Sequence, residues 1–228
     1  MAFISILKDT LLPSSADFRR FPFGIGSGIV MSLDFTHQTR LFLGLYEIEI
    51  AGHCKRLLRQ SRSAFDIGAN AGYYSLILAK HTGGQVVAVE PVDENISKMQ
   101  ANFARNPYPI TAVQALVGAK SEGDTVSLDQ LSADYFRPDF IKMDIEGGEV
   151  DALQGGLRLL EEHRPHLVIE VHGEQLEAGC REILTRFDYR ITRVAPRTWL
   201  PETRVDAYNG WIICEGSPRP RSPSGAEP

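Results

Sequence analysis

Ala64-Phe65-Asp66-Ile67-Gly68-Ala69-Asn70-Ala71-Gly72, residues 64–72, decides the fold. A short apolar run carrying one acid ends in two glycines spaced Gly-x-x-x-Gly, and Tyr74, Leu76, Ile77 and Leu78 then supply an apolar helix. Strand, tight turn and helix in that order are the repeating unit of an α/β fold. Glycines at such a junction permit the tight turn and let a ligand approach the backbone at the helix N-terminus. The same alternation continues outward. Residues 85–90 read as a buried strand, followed by a helix with Ile96, Met99 and Phe103 on one face and Asp93 as its expected cap. Further strands are expected at 111–117, 140–144 and 167–171. The helices between and after them carry Val150, Leu153, Leu157 and Leu160, then Leu176, Cys180, Ile183, Leu184 and Phe187. Residues 189–194 and 211–214 close the chain as two extended segments with no helix between them, which implies an antiparallel hairpin at one edge. The fold class expected is α/β, a mostly parallel sheet with helices on both faces.

The composition sets the limits. With 228 residues, 43% hydrophobic and 23% charged, the chain fits one globular domain with a full-sized core and is not a disordered polymer. No run approaches the ~18–20 apolar residues that span a bilayer. Residues 1–15 have neither the apolar stretch nor the small-residue cleavage site of a secretory signal. The expectation is a cytoplasmic protein with no stable membrane insertion. A net charge of −5 gives no electrostatic footprint for a polyanion, so nucleic acid is not an expected partner. Cys54, Cys180 and Cys214 lie far apart without a CxxC pair and read as reduced core thiols. Gly24, Gly26 and Gly28 mark turns around a short extended segment, and residues 216–228 read as a disordered tail rich in proline and serine. The sequence carries no signal for an oligomeric state.

Ligands of such sheets bind outside the carboxyl ends of the strands, so the residues ending each strand are the ones to inspect. The second strand ends in Glu90, eighteen residues beyond Gly72, where an acid can grip the two hydroxyls of a ribose. Both G-x-G-x-x-G and G-x-x-x-x-G-K-[ST] are absent. Asp66, before the glycines, would repel a pyrophosphate and welcome a cation. S-adenosylmethionine has a ribose, an adenine, an ammonium and a sulfonium but no phosphate, and it suits this pattern better than a dinucleotide.

AFDIGANAGYYS (64–75), VVAVEP (86–91), PDFIKMDIEGGEVDALQGG (138–156) and LVIEVHG (167–173) together resemble the FkbM-type branch of the class I S-adenosylmethionine-dependent methyltransferases. LGLYEIE (43–49) resembles the opening segment of that family, and DFIKMDIEGGE is the most particular of the blocks. The resemblance implies a seven-stranded, Rossmann-like sheet whose last strand is antiparallel between its neighbours. It implies methyl transfer to a small molecule, commonly at a hydroxyl oxygen. Asp66, Gly68, Asn70 and Gly72 match its cofactor loop and Glu90 its ribose acid. Leu116 falls at the end of the third strand, where class I enzymes build the adenine slot. Residues 41–215 would then be the methyltransferase domain, with residues 1–40 a segment that caps the substrate pocket.

Asp144, Glu146 and His172 are the candidate catalytic residues, with Glu170 beside them. The sulfonium needs no activation by the protein, so catalysis is chiefly in-line positioning. A hydroxyl acceptor also needs its proton removed by a carboxylate or histidine. Glu149 reads as helix-dipole stabilisation in a first turn, and Lys142 as an ion-pair partner of one of the acids. Asp144, Glu146, Glu170 and His172 are also donor types that suit a divalent metal, but their spacing is not diagnostic and a metal is not favoured. A carboxylate acceptor would need no base. Two readings from other classes compete: a nucleotide-dependent oxidoreductase, disfavoured by the missing dinucleotide fingerprint, and a catalytically silent S-adenosylmethionine-binding module.

Overall fold

The structure is a computed structural model that describes residues 16–199 and 208–217. The expected tail at 216–228 lies almost wholly outside the described residues. Seven strands form one mostly parallel sheet in the order β10-β11-β9-β8-β3-β4-β5. The chain divides into two compact units, residues 1–115 and 116–228.

The first unit opens with a hairpin of β1 (Asp17–Arg20) and β2 (Val30–Leu33), in which Asp17 faces Leu33 and Arg20 faces Val30. Two helices follow. In α1 (Phe35–Phe42) the Asp34 side chain caps the start by accepting the Thr36 N–H, and α2 (Ile48–Leu58) buries Ile50, Cys54, Leu57 and Leu58. β3 (Ser63–Ile67) is buried at every position, as befits a strand covered on both faces. α3 (Tyr73–Thr82) is apolar almost all round and leaves only Lys80 and His81 partly exposed. β4 (Gln85–Val89), α4 (Asp93–Phe103) and β5 (Ile110–Val113) complete two parallel crossovers, with Ala64 opposite Val86 and Val86 opposite Ile110. Ala69, Ala88, Ile96 and Met99 form a buried cluster beneath the first crossover, flanked by Phe103.

The second unit begins with a small parallel pair, β6 (Leu116–Val117) and β7 (Thr125–Val126). α5 (Leu128–Asp134) is capped by Ser127, whose hydroxyl accepts the Gln130 N–H. β8 (Phe140–Met143), α6 (Glu149–Gln154), α7 (Leu157–Glu162), β9 (His166–Val171) and α8 (Glu174–Thr185) follow, with β8 and β9 parallel. β10 (Arg190–Val194) and β11 (Gly210–Glu215) form the expected antiparallel hairpin, and β11 runs antiparallel to β9 on its other side. Trp211 is fully buried in it.

Three expectations are corrected. The strand expected at 111–117 is two: β5 stops at Val113, and Leu116 pairs instead with Thr125 in the small sheet. The single helix expected to carry Val150 through Leu160 is broken at Gly155 and Gly156. A Cβ on Gly155 would sit 2.2 Å from the Gly118 carbonyl oxygen, so a close backbone approach, not an unbroken helix, sets this corner. Asp93 is not the cap of α4. Val92 holds that position without a side-chain bond, and Asp93 lies in the first turn, where its charge favours the positive end of the helix.

Candidate active site

In the first unit the turn after β3 is held by backbone bonds. Gly68 and Ala69 both donate to the Val89 carbonyl, at 2.9 and 3.0 Å, and Gly72 donates to Ala69 at 2.8 Å. Gly68, Asn70 and Gly72 adopt φ of 80°, 49° and 85°, a run of left-handed conformations that explains two glycines and an asparagine at alternate positions. Glu90, 5% exposed, clasps this turn. Its Oε2 accepts the Asn70 N–H at 2.9 Å, and its Oε1 accepts the Val92 N–H at 3.0 Å and the Asn95 amide at 3.1 Å. Asn102 donates to the Ala71 carbonyl at 2.8 Å from the other side. Asp66 is 2% exposed and accepts the Ser75 hydroxyl at 2.5 Å, so it braces the turn from beneath. Gly72 opens α3 without a side-chain cap. Tyr73 and Tyr74 are both buried, edge to face, with centroids 5.5 Å apart. Burial, and after it the Glu47 carboxylate, pushes the Tyr74 hydroxyl well above its usual range.

In the second unit the ends of β8 and β9 bring Asp144, Glu146 and His172 together. His172 Nε2 lies 3.5 Å from Asp144 Oδ1 and 3.8 Å from Glu146 Oε2, while its Nδ1 is 2.7 Å from Glu149 Oε1. Glu146 and Gly147 have φ of 53° and 109°, so the chain reverses sharply after Asp144 before α6 begins. Lys142, 1% exposed, lies 3.8 Å from Asp144 Oδ2 and provides the ion pair expected of it. Burial alone would lower the pKa of His172. The hydrogen bond to Glu149 and the charges of Asp144, Glu149 and Glu170 outweigh that and raise it above 6.5. Donor atoms of Asp144, Glu146 and His172 all lie within 4.8 Å of one another, a spacing that could accommodate a cation.

The sequence-derived residues thus fall into two groups. Asp66, Gly68, Asn70, Gly72 and Glu90 converge on one turn, and Asp144, Glu146 and His172 on one cluster. Leu116 joins neither and stands 53% exposed in β6. Glu149 does stand in the first turn of α6, but it is also fully buried against His172, which the sequence reading does not anticipate. The one sequence signal for this contact is an acid five residues beyond Asp144 in a motif that also carries Glu146.

Residues 118–191 match the family model of the methyltransferase FkbM domain. Over those residues the chain resembles the FkbM methyltransferases. Among solved structures it is similar to the methyltransferase FkbM of Methylobacillus flagellatus KT, with 26% identity and a TM-score of 0.55. That match covers 68% of this chain but 44% of the other, so the chain spans less than half of that relative. It is also similar in fold to precorrin-6y C5,15-methyltransferase of Geobacter metallireducens GS-15, at 18% identity and TM-score 0.52 over 76% of this chain and 88% of that one. Aeropyrum pernix fibrillarin, solved with natively bound S-adenosyl-L-methionine, matches at 10% identity and TM-score 0.50 over 70% and 68% of the two chains. No curated protein matches in sequence. The fold is that of the class I methyltransferases, as the sequence motifs implied. Among the described residues no helix is long and apolar enough to cross a membrane.

Proposed function

We propose that this chain transfers the methyl group of S-adenosylmethionine to a hydroxyl oxygen of a small molecule such as a sugar or natural product. The observation that carries the reading is the pairing of a resemblance to the FkbM methyltransferases with a histidine held between carboxylates at strand ends. The first-unit turn fits the cofactor. Glu90 spends three lone pairs on Asn70, Val92 and Asn95, which leaves acceptor capacity for a ribose hydroxyl. The α3 start has no side-chain cap competing for its N–H groups. Asp66 is committed to Ser75, so its part is to fix the turn from below.

When bound, the cofactor supplies an electrophilic methyl carbon on sulfur, and the carbon–sulfur bond breaks as the carbon–oxygen bond forms. The chain's own task is to hold the hydroxyl in line and to take its proton. His172 takes it on Nε2, and Asp144 and Glu146 orient the hydroxyl and stabilise the imidazolium that results. Residues 41–215 serve as the methyltransferase domain, and residues 1–40 select the acceptor.

Calorimetric titration of the purified protein with S-adenosylmethionine, with Glu90→Ala and NAD as comparators, tests the cofactor. Tight binding that is lost in the variant and absent for NAD supports the reading; binding of NAD alone revives an oxidoreductase. Release of S-adenosylhomocysteine on a panel of monosaccharides and simple phenols then tests turnover. Cofactor binding with no transfer to any acceptor favours a silent binding module.

A further inference from the structure

Glu149 is 0% exposed, an unusual place for an acid that opens a helix. A dipole contact at a helix start explains a surface acid; it does not explain one withdrawn from water, where an ionised carboxylate must find compensating partners. Two partners are present, both on Oε1. His172 Nδ1 lies at 2.7 Å and the Gly147 N–H donates at 3.2 Å. Oε2 is buried with no hydrogen-bond partner among the described residues. One oxygen therefore ties the loop that carries Asp144 and Glu146 to the residue at the end of β9.

We propose that Glu149 is a positioning residue for methyl transfer, holding His172 in the Nδ1–H tautomer with the Nε2 lone pair presented to the acceptor hydroxyl. The proposal rests on the reading of this cluster as the acceptor-activating one. An ionised carboxylate only accepts, so the hydrogen at the 2.7 Å contact belongs to the histidine. With the proton on Nδ1, neutral imidazole leaves Nε2 as the base. Nε2 is 3.5 and 3.8 Å from Asp144 and Glu146, too far for strong hydrogen bonds, so neither acid pins a proton on it as Glu149 does on Nδ1. The proton taken from the hydroxyl then makes an imidazolium whose two N–H groups face Glu149 on one side and Asp144 on the other. Without Glu149 the ring is free to turn over or to move its proton to Nε2, and the hydroxyl would meet a donor in place of a base.

The test uses the full chain and the isosteric variant Glu149→Gln, with Glu149→Ala as a second variant and thermal unfolding as a control on folding. Nitrogen-15 correlation spectra of the histidine rings, which need no acceptor and are followed through a pH titration to the neutral ring, should report the Nδ1–H tautomer for His172 in the wild type and a shift toward Nε2–H in Glu149→Gln. On whichever panel compound the wild type methylates fastest, kcat should fall by about 100-fold, the lower range of a general base's contribution, with KM and S-adenosylmethionine affinity unchanged. An Nε2–H tautomer in the wild type, or full kcat in a folded Glu149→Gln, overturns the proposal. A wild-type protein that methylates nothing overturns the reaction, and the positioning role with it, while the spectra still report which nitrogen carries the proton.

Discussion

Glu90 accepts the backbone N–H of Asn70 at 2.9 Å across the gap between the end of β4 and the turn after β3. The acid assigned to the ribose is thus also the clasp of the turn that would receive the cofactor. Its effects on affinity and on loop order are coupled, and a deletion will report both. Glu90→Gln separates them in part, since an amide group retains one acceptor but must turn a donor toward either Asn70 or Val92. Loss of a charge-assisted hydrogen bond costs roughly 1.5–3 kcal/mol. S-adenosylmethionine affinity should therefore drop about 10- to 100-fold in calorimetry, with faster amide exchange at Asn70. Unchanged affinity would remove Glu90 from the cofactor site.

Gly72→Ala should destabilise the first unit. The position has φ of 85°, and a Cβ there would stand 2.5 Å from Phe103 Cε1. Left-handed backbone at a non-glycine residue and overpacking each cost on the order of 1–3 kcal/mol. A lowered urea midpoint with an unchanged slope is the expected result. Gly83→Ala is the control: its φ of 64° is also positive, but nothing lies within 4 Å of its added Cβ, so it should cost less.

The pH dependence has opposite signs for stability and for activity. The pKa of His172 is raised above 6.5 in the folded chain, so its contribution to stability is complete below 6.5 and is lost as pH rises through the folded value. As a base the same residue works only after losing its proton, so kcat/KM should climb above pH 6.5 and level off beyond the raised value. Asp144→Asn removes one of the charges holding the proton and should move that limb toward lower pH. A limb that stays in place in Asp144→Asn would detach it from His172.

Both residue groups could be read in the chain because each sits where a strand ends, and strand ends can be located from apolar runs. Asp66, Glu90 and Asp144 are legible as candidates in this way, and the turn glycines and the closing hairpin from local geometry alone. Leu116 stands apart from both groups because the same reading of apolar runs misplaces its strand. Hydrophobicity alone runs that strand through residues 111–117, whereas β5 stops at Val113 and Leu116 pairs with Thr125, a partner that only the folded chain reveals. The break of α6 from α7 had a visible signal in Gly155 and Gly156, but its cause is the approach of Gly118 from far upstream. Glu149 has a sufficient local explanation as an acid in a first turn; its burial and its histidine are tertiary facts.

Removal of divalent metal discriminates the two uses of Asp144, Glu146 and His172. Their donor atoms fall within 4.8 Å of one another, yet Glu146 is 77% exposed and His172 has a raised pKa. The imidazolium that forms when His172 takes the hydroxyl proton is offset by these acids without a cation. Turnover should therefore survive treatment with EDTA followed by desalting, and Glu146→Gln should lower it by less than tenfold, since an exposed acid interacts weakly through water. Turnover that collapses under EDTA and returns with magnesium but not with sodium would give the opposite answer. Nε2 of His172 would then be occupied by the metal, and proton removal would fall to the acidity that a bound cation confers on the hydroxyl.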